Sequence, residues 1–593
     1  MKFWQLVLLI TLGAQTLVVG AVESKANPLT LQVELGRQLY LEGKRADGQP
    51  LVGRRGGADL TGAQAACVSC HRRSGLGGVE GAESVPPISG RALFGAGEAV
   101  VVRQDKRFSP SISAQHANYD ERSFADAVRT GRHISGREMS PLMARYALTD
   151  TELQGLGAYL RTLSVLVSPG VTEHEIHLAT VIAPGVEPTR KKAFLDTLDA
   201  MVNQHNVNVV SGMRQRVSAI ERRLQTRRSW KLDVWTLTGP KETWAVQLDQ
   251  WQLKNPVFAV LSGLALDHWQ PVQDFCEKSR VACWFPSVDI VPEGAEQGAY
   301  SLYFSNGVQL EAEVLLKSWL TGSEKPSRVV QLVGSDPRAQ AAAQISRERF
   351  TKAGLAVQDL AWSASSADAL GAALSGLSSS DALMLWMSSE ELETLTHRLA
   401  APLSSVVVSA TFASADLASW TQAWRNNAWL LQRLELPPMR AANLARFEDW
   451  RKYRNLTLVD EKMQSEVYFA VNSFSWMLTS MLNNLHTDYL IERGESTLSL
   501  REATQVQEEV QAKMMGGGGR RQQVPQAPMA GAPEKVSALN KPDMSMLMKR
   551  EGTTAYPRLS LAVGQRFASK GAYLQKVGAG TGSVNNETSW IVP

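Results

Sequence analysis

Cys67-Val68-Ser69-Cys70-His71 is the stretch that most narrows what this chain can become. Two thiols three positions apart, with an imidazole directly after, suit covalent capture of a haem: each sulfur closes a thioether on one vinyl group while the histidine reaches the iron. The alternatives for a CxxC pair are thiol exchange and zinc. Zinc is weakened because no second Cys/His pair lies nearby, and thiol exchange because no strand and helix frame the motif. The motif reads as c-type haem attachment, and it constrains the fold as well as the chemistry. Residues 72–137 are rich in glycine, proline and polar side chains and poor in long periodic runs, so they would struggle to order themselves around a core of their own. A covalently fixed porphyrin offers such loops a flat apolar face to wrap.

Helical patterns bracket that loop-rich region. From Leu29 to Glu42, Val33, Gly36 and Tyr40 recur on one face. Glycine inside a helix costs stability relative to alanine, so Gly36 marks close approach by another backbone. The expected neighbour is a helix from Asp150 to Leu163, with Thr149 and Glu152 as its capping box and Leu153, Leu156, Leu160 and Leu163 along one face.

The segment from Leu31 to Leu163 resembles a class I cytochrome c. The resemblance is carried by Leu35-Gly36-Arg37-Gln38-Leu39-Tyr40, Pro86-Pro87-Ile88-Ser89-Gly90, Met143-Ala144-Arg145-Tyr146 and Ala158-Tyr159-Leu160, besides the motif itself. It implies a small all-α domain over residues 29–165 whose first and last helices cross, holding one covalent haem c. It also implies that His71 is the proximal iron ligand, oriented by a carbonyl in the proline segment, and that a methionine caps the iron from the other side. Carried across, the cofactor-binding set is Cys67, Cys70, His71 and Met143, with His71 and Met143 on the metal. The family pattern has proline after the distal methionine, where this chain has Ala144. Met139 therefore competes with Met143, and His116 and His133 compete more weakly.

At 593 residues the chain is too long for a single core, so two to four compact units are expected. The net charge of +4 is small for this size, and no concentrated basic face or recognised motif supports a nucleic-acid partner. Lys2, the apolar run Phe3 to Val19 and the small residues Val19-Gly20-Ala21 read as a cleavable signal peptide, residues 1–21, and place the mature protein in the periplasm. An uncleaved anchor is the alternative. No later stretch is long and apolar enough to cross a bilayer, so no transmembrane segment is expected after cleavage. Cys276 and Cys283 suit either a short-loop disulfide or two buried thiols, and their spacing leaves both open.

After Val165-Leu166-Val167-Ser168-Pro169-Gly170 the pattern changes to short apolar runs alternating with longer helical ones. Runs at 176–183, 232–237, 257–261 and 281–285 form one series. Those at 329–333, 382–387 and 406–411 form another, beyond a crossover near 300–320. Two such series read as two α/β lobes with parallel sheets. Residues 173–576 resemble type I periplasmic substrate-binding proteins, the branch that includes branched-chain amino-acid binders. The similarity rests on Gly298-Ala299-Tyr300-Ser301-Leu302-Tyr303-Phe304, Tyr468-Phe469-Ala470 and Tyr556-Pro557-Arg558-Leu559-Ser560-Leu561. It implies lobes hinged around a small ligand. Ser262 and Ser409-Ala410-Thr411 follow apolar strands, where hydroxyls and amides can hold a carboxylate or simply satisfy local turns. Trp235, Trp284, Trp386, Trp429 and Trp476 read as core. A Gly, Pro and Gln-rich insertion spans 514–535, and the tail 577–593 is expected to be disordered.

The expectation is therefore an α plus α/β multidomain protein: an exported single-haem electron carrier, read as an electron-transfer protein before an enzyme, with a fused ligand-binding or partner-docking domain. Its partners would be periplasmic redox donor and acceptor proteins, and a small molecule would suit the bilobed domain. The competing readings are a haem peroxidase with His116 or His133 as acid–base group, the electron-accepting subunit of a periplasmic dehydrogenase, and a redox-linked solute receptor.

Overall fold

The computed structural model describes residues 28–80, 83–95, 117–163, 168–172, 174–214, 228–322, 325–363, 367–413, 419–481, 486–492, 553–561, 564–577 and 588–593. The expected signal peptide and the insertion at 514–535 lie outside the described residues, as does His116. These residues form two compact units. The first takes 28–69, 89–95 and 117–163, and the second takes the loop 70–88 and the described chain from 168 onward.

In the first unit α1 (Pro28–Arg37) continues into a π turn at Gln38–Glu42. A hairpin of β1 (Val52–Arg55) and β2 (Ala58–Thr61) leads to the single turn α2 (Val68–His71). The loop 70–88, which belongs to the second unit, holds the short hairpin β3 (Gly78–Glu80) and β4 (Glu83–Val85), and the first unit resumes at residue 89. Then come α3 (Gly90–Phe94), α4 (Glu121–Thr130), β5 (Arg145–Tyr146) and α5 (Asp150–Thr162). Besides the expected helices, β2, β1 and β5 make a small antiparallel sheet, because Gly56-Gly57 turns the chain back with β5 pairing on the other edge of β1.

The crossing of α1 and α5 explains Gly36. A Cβ there would lie 2.0 Å from the Gly155 carbonyl oxygen and 2.7 Å from Tyr159 Cβ, so only glycine lets the two backbones touch. Tyr40 and Tyr159 pack rings beside the contact, 5.3 Å between centroids. The capping box at Thr149 and Glu152 forms as expected. Glu152 does more than cap, because Arg45 grips both its carboxylate oxygens at 2.9 Å.

In the second unit the first lobe runs β6 (Glu175–Ile182), α6 (Pro188–Arg214), β7 (Ser229–Thr236), α7 (Trp244–Lys254), β8 (Ala259–Leu261), α8 (Gln270–Ser279), β9 (Ala282–Trp284) and β10 (Ser301–Leu302). Its parallel sheet has the order β10-β9-β8-β6-β7. Cys276 and Cys283 are joined as a disulfide between α8 and β9. The second lobe runs α9 (Gly307–Thr321), β11 (Arg328–Val333), α10 (Pro337–Lys352), β12 (Ala356–Ala361), α11 (Ala367–Ser375), β13 (Ala382–Trp386), α12 (Ser389–Arg398), β14 (Ser405–Ser409), α13 (Gln422–Asn427), β15 (Ala428–Gln432) and α14 (Pro437–Tyr453). The chain then returns through α15 (Glu461–Met481), whose Val467, Phe469, Ala470 and Phe474 join the first lobe's core with Leu178, Phe258 and Trp284.

The second sheet has the order β12-β11-β13-β14-β15-β16-β17, with β16 (Ala572–Lys576) and β17 (Thr588–Ile591) antiparallel on its edge. This corrects the expectation of a disordered tail over 577–593. The Gly, Ser and Asn composition after Val577 hides a four-residue strand whose Trp590 packs on Tyr573, 4.7 Å between ring centroids. Trp235, Trp284 and Trp386 are buried as expected, whereas Trp429 and Trp476 are partly buried against the cores. Trp284 and Trp386 are fully buried, with indole N–H groups donating to Ser473 Oγ at 3.0 Å and Gln331 Oε1 at 2.7 Å. Among the described residues no helix is long and apolar enough to cross a membrane.

The Glu152 pair has a consequence in acid. Hydrogen bonds from Arg45, opposed by burial and helped by Thr149, lower the carboxyl from about 4.5 to about 2. A carboxyl depressed on folding stabilises above its unfolded value and loses that contribution as pH falls through the folded one. Glu152→Gln is expected to remove up to about 3 kcal/mol at neutral pH and to flatten stability between pH about 4.5 and about 2. Denaturant titrations of both proteins across that window check it.

Candidate functional site

Ala65-Ala66 leads into α2 with both alanines buried, and Ser69 closes the turn, its N–H and Oγ reaching the Ala66 carbonyl at 3.1 and 2.6 Å. Cys67 and Cys70 are half-buried on this turn. His71 follows with only 5% of its surface exposed. Its Nδ1 lies 3.0 Å from the Pro86 carbonyl oxygen. A carbonyl can only accept, so Nδ1 carries the proton and Nε2 the lone pair. This is the outer-sphere hydrogen bond that fixes a metal-binding imidazole in tautomer and orientation.

Close packing of two chain segments produces that contact. After His71 the chain reverses, with Arg72 in the left-handed region at φ 67°. Gly77 N–H returns to the His71 carbonyl at 3.1 Å, and Ile88 N–H reaches the Gly75 carbonyl at 2.7 Å. The proline segment is thereby laid against the reversal. At Gly77, φ is 67° and a Cβ would sit 2.1 Å from Val85 O and 2.7 Å from Pro86 O. No other residue fits without pushing away the carbonyl that holds His71.

Met143 precedes β5 and is half-buried, as is Met139. Met143 N–H bonds the Ser140 carbonyl at 3.0 Å, and Met139 N–H bonds Gly131 O at 2.8 Å. The Arg145 guanidinium braces the loop from within, donating to the carbonyls of Met143, Met139 (3.3 Å) and Ser140 (3.4 Å). Tyr146 donates its hydroxyl to Ala65 O at 2.8 Å, tying the end of the methionine loop to the residue two before Cys67. Reading the sequence did not assign roles to Arg145 or Tyr146. Their adjacency to the methionine was the one available signal. His133 is engaged locally, with Nδ1 2.7 Å from Ser135 Oγ and its ring edge-on to Tyr119.

The hydroxyls proposed for a carboxylate in the bilobed unit meet different fates. Ser262 is buried at φ 57° with its N–H bonded to Trp284 O, and its Oγ makes no hydrogen bond among the described residues. Ser409 and Thr411 do hold a carboxylate, that of Glu311 from their own lobe.

Gly77→Ala combines a disfavoured φ with backbone overlap and should destabilise by about 1–3 kcal/mol. It is expected to free the His71 ring as well. Equilibrium unfolding together with imidazole NMR line shapes checks both effects.

Residues 57–164 match the family model described as Cytochrome c. No curated protein matches the chain. Among solved structures, it is similar to the fatty acid ABC transporter substrate-binding protein from Thermomonospora curvata, at 13% identity over 72% of this chain and 93% of that one, TM-score 0.41. It is also similar to a possible leucine/isoleucine/valine-binding protein from Rhodopirellula baltica, at 10% identity over 71% and 96%, TM-score 0.41. A third is the branched-chain amino acid transporter substrate binding protein from Streptococcus pneumoniae in complex with isoleucine, at 11% identity over 71% and 100%, TM-score 0.41. The segment that bears the CxxCH motif is thus a cytochrome c domain, a family that implies covalently bound haem c.

Proposed function

We propose that this chain is an exported, single-haem c-type cytochrome that carries electrons between periplasmic partners, with its bilobed unit as a fused ligand-binding or partner-docking domain. The observation that carries the reading is the buried His71 imidazole pinned through Nδ1 to Pro86 O. Haem c, when bound, supplies one-electron exchange at its iron. Cys67 and Cys70 would anchor it through thioethers, and His71 through Nε2 and Met143 through its thioether would hold the iron. With two side chains on the iron, no coordination site would be left for a substrate, which favours a carrier over a peroxidase. A thioether ligand also favours the reduced metal and raises the potential relative to two histidines. Export rests on Lys2, the apolar run to Val19 and the small residues before Val22.

Mass spectrometry of protein matured in a host that attaches c-type haem is expected to show the mass of one haem on a chain beginning at Val22. The native protein should show low-spin iron with a methionine-to-iron absorption band. Met143→Ala should abolish that band and lower the midpoint potential, while Met139→Ala leaves both. The reverse result would move the distal ligand to Met139. High-spin iron that binds peroxide in the unmodified protein would end the carrier reading.

A further inference from the structure

Open α/β sheets bind ligands in the crevice beyond the carboxyl ends of their strands. In the second unit that crevice is filled by the chain's own charges. Asp289, in the first lobe just past β9, is 5% exposed. Its Oδ1 accepts from Arg433 Nη2 at 2.7 Å and lies 3.2 Å from Lys462 Nζ, and its Oδ2 lies 3.6 Å from Arg338 Nη1. Arg433 follows β15 and Arg338 opens α10, both in the second lobe, whereas Lys462 is on α15 in the first lobe's core.

Arg433, 3% exposed, uses its whole guanidinium in this cluster. Nε donates to Glu311 at 2.8 Å, Nη1 to Ser305 at 2.9 Å and Nη2 to Thr411 at 2.9 Å as well as to Asp289. Glu311, fully buried, accepts from Ser409 at 2.6 Å and from Thr411. On the first-lobe side Glu466 accepts from Tyr556 at 2.8 Å and from Ser287, and pairs with Lys462 at 2.9 Å. A backbone bond, Val308 N–H to Asp289 O at 3.1 Å, joins the start of α9 to the same loop. Asp289, Glu311 and Glu466 thus face Arg433, Lys462 and Arg338, the last of which also pairs with Asp336 at 2.6 Å. Burial would raise the Asp289 carboxyl, but Lys462, Arg433 and Arg338 together hold it far below the usual range.

We infer that this cluster is a built-in substitute for a ligand. Asp289 and Arg433 clamp the lobes together across the strand ends, and Glu311 occupies the Ser409/Thr411 hydroxyls, so the unit stays closed with nothing bound. A receptor that cycles needs its crevice polar groups unsatisfied until the ligand arrives, because their pairing is what drives closure. Here they are satisfied in advance. This goes beyond the electron-transfer reading without resting on it. It argues against a small ligand in this crevice.

The test uses full-length haem-loaded protein, followed by small-angle X-ray scattering and amide hydrogen exchange. The radius of gyration, and exchange at 287–291, 409–412 and 433–435, are expected to be unchanged by any of the twenty standard amino acids at millimolar concentration. Asp289→Asn is expected to speed exchange in those segments by about ten-fold or more, in both lobes together. Should that variant not accumulate in folded form, Arg433→Lys, which keeps the charge but loses the fork, is read in its place with the same expected direction. An amino acid that compacts the unmodified protein, or a variant that exchanges as the unmodified protein does, overturns the inference. Haem content and reduction measured on the same samples report separately on the carrier reading.

Discussion

An imidazole makes a dependable metal ligand only when its second nitrogen is engaged and its ring cannot turn. In this protein the engagement is the 3.0 Å contact of His71 Nδ1 with the Pro86 carbonyl. The chain must reverse at once after the motif and then return close enough to present that carbonyl. The left-handed Arg72, the bonds from Gly77 and Ile88, and the missing side chain at Gly77 all serve that geometry. In the proposed role of His71 on a haem iron, ring orientation would set ligand strength, and this stretch of backbone would serve that one hydrogen bond.

The methionine loop is held through its backbone. Arg145 gathers three carbonyls of the methionine loop, and Tyr146 anchors the next position to Ala65. On the proposed assignment, the three rotatable bonds of a thioether would let its sulfur reach a metal from a braced backbone. The same bracket supports Met139 and Met143 alike, so backbone geometry alone does not separate them.

The second unit poses the opposite electrostatic problem. Burying Asp289, Glu311, Arg433, Lys462 and Glu466 costs much desolvation energy, and the hydrophobic alternative would often be as stable. What the ions add is a directional requirement: each guanidinium nitrogen and carboxylate oxygen has a named partner, and slipping one lobe against the other would strand buried charge. The cores of both lobes are conventional by comparison, with aliphatic strands and, at Trp284 and Trp386, fully buried tryptophans whose indole N–H groups find polar partners.

Features that depend on residues within a turn or two of one another could be read directly from the amino-acid order. The attachment pentapeptide, the Thr149–Glu152 capping box, the glycine demanding a helix crossing at Gly36 and the alternation of strands and helices after residue 170 all belong here. Covalent geometry and periodicity set them. Even the kind of chemistry at the strand ends was legible, since hydroxyls there suit a carboxylate. That the carboxylate comes from Glu311, 98 residues from Ser409, was not legible. Nor were the Tyr146–Ala65 bond or the strand concealed in the C-terminal tail. Such pairings need two distant segments to meet in one orientation. Only the packed chain decides that, because the free energy of bringing them together is shared among all the contacts that close the loop.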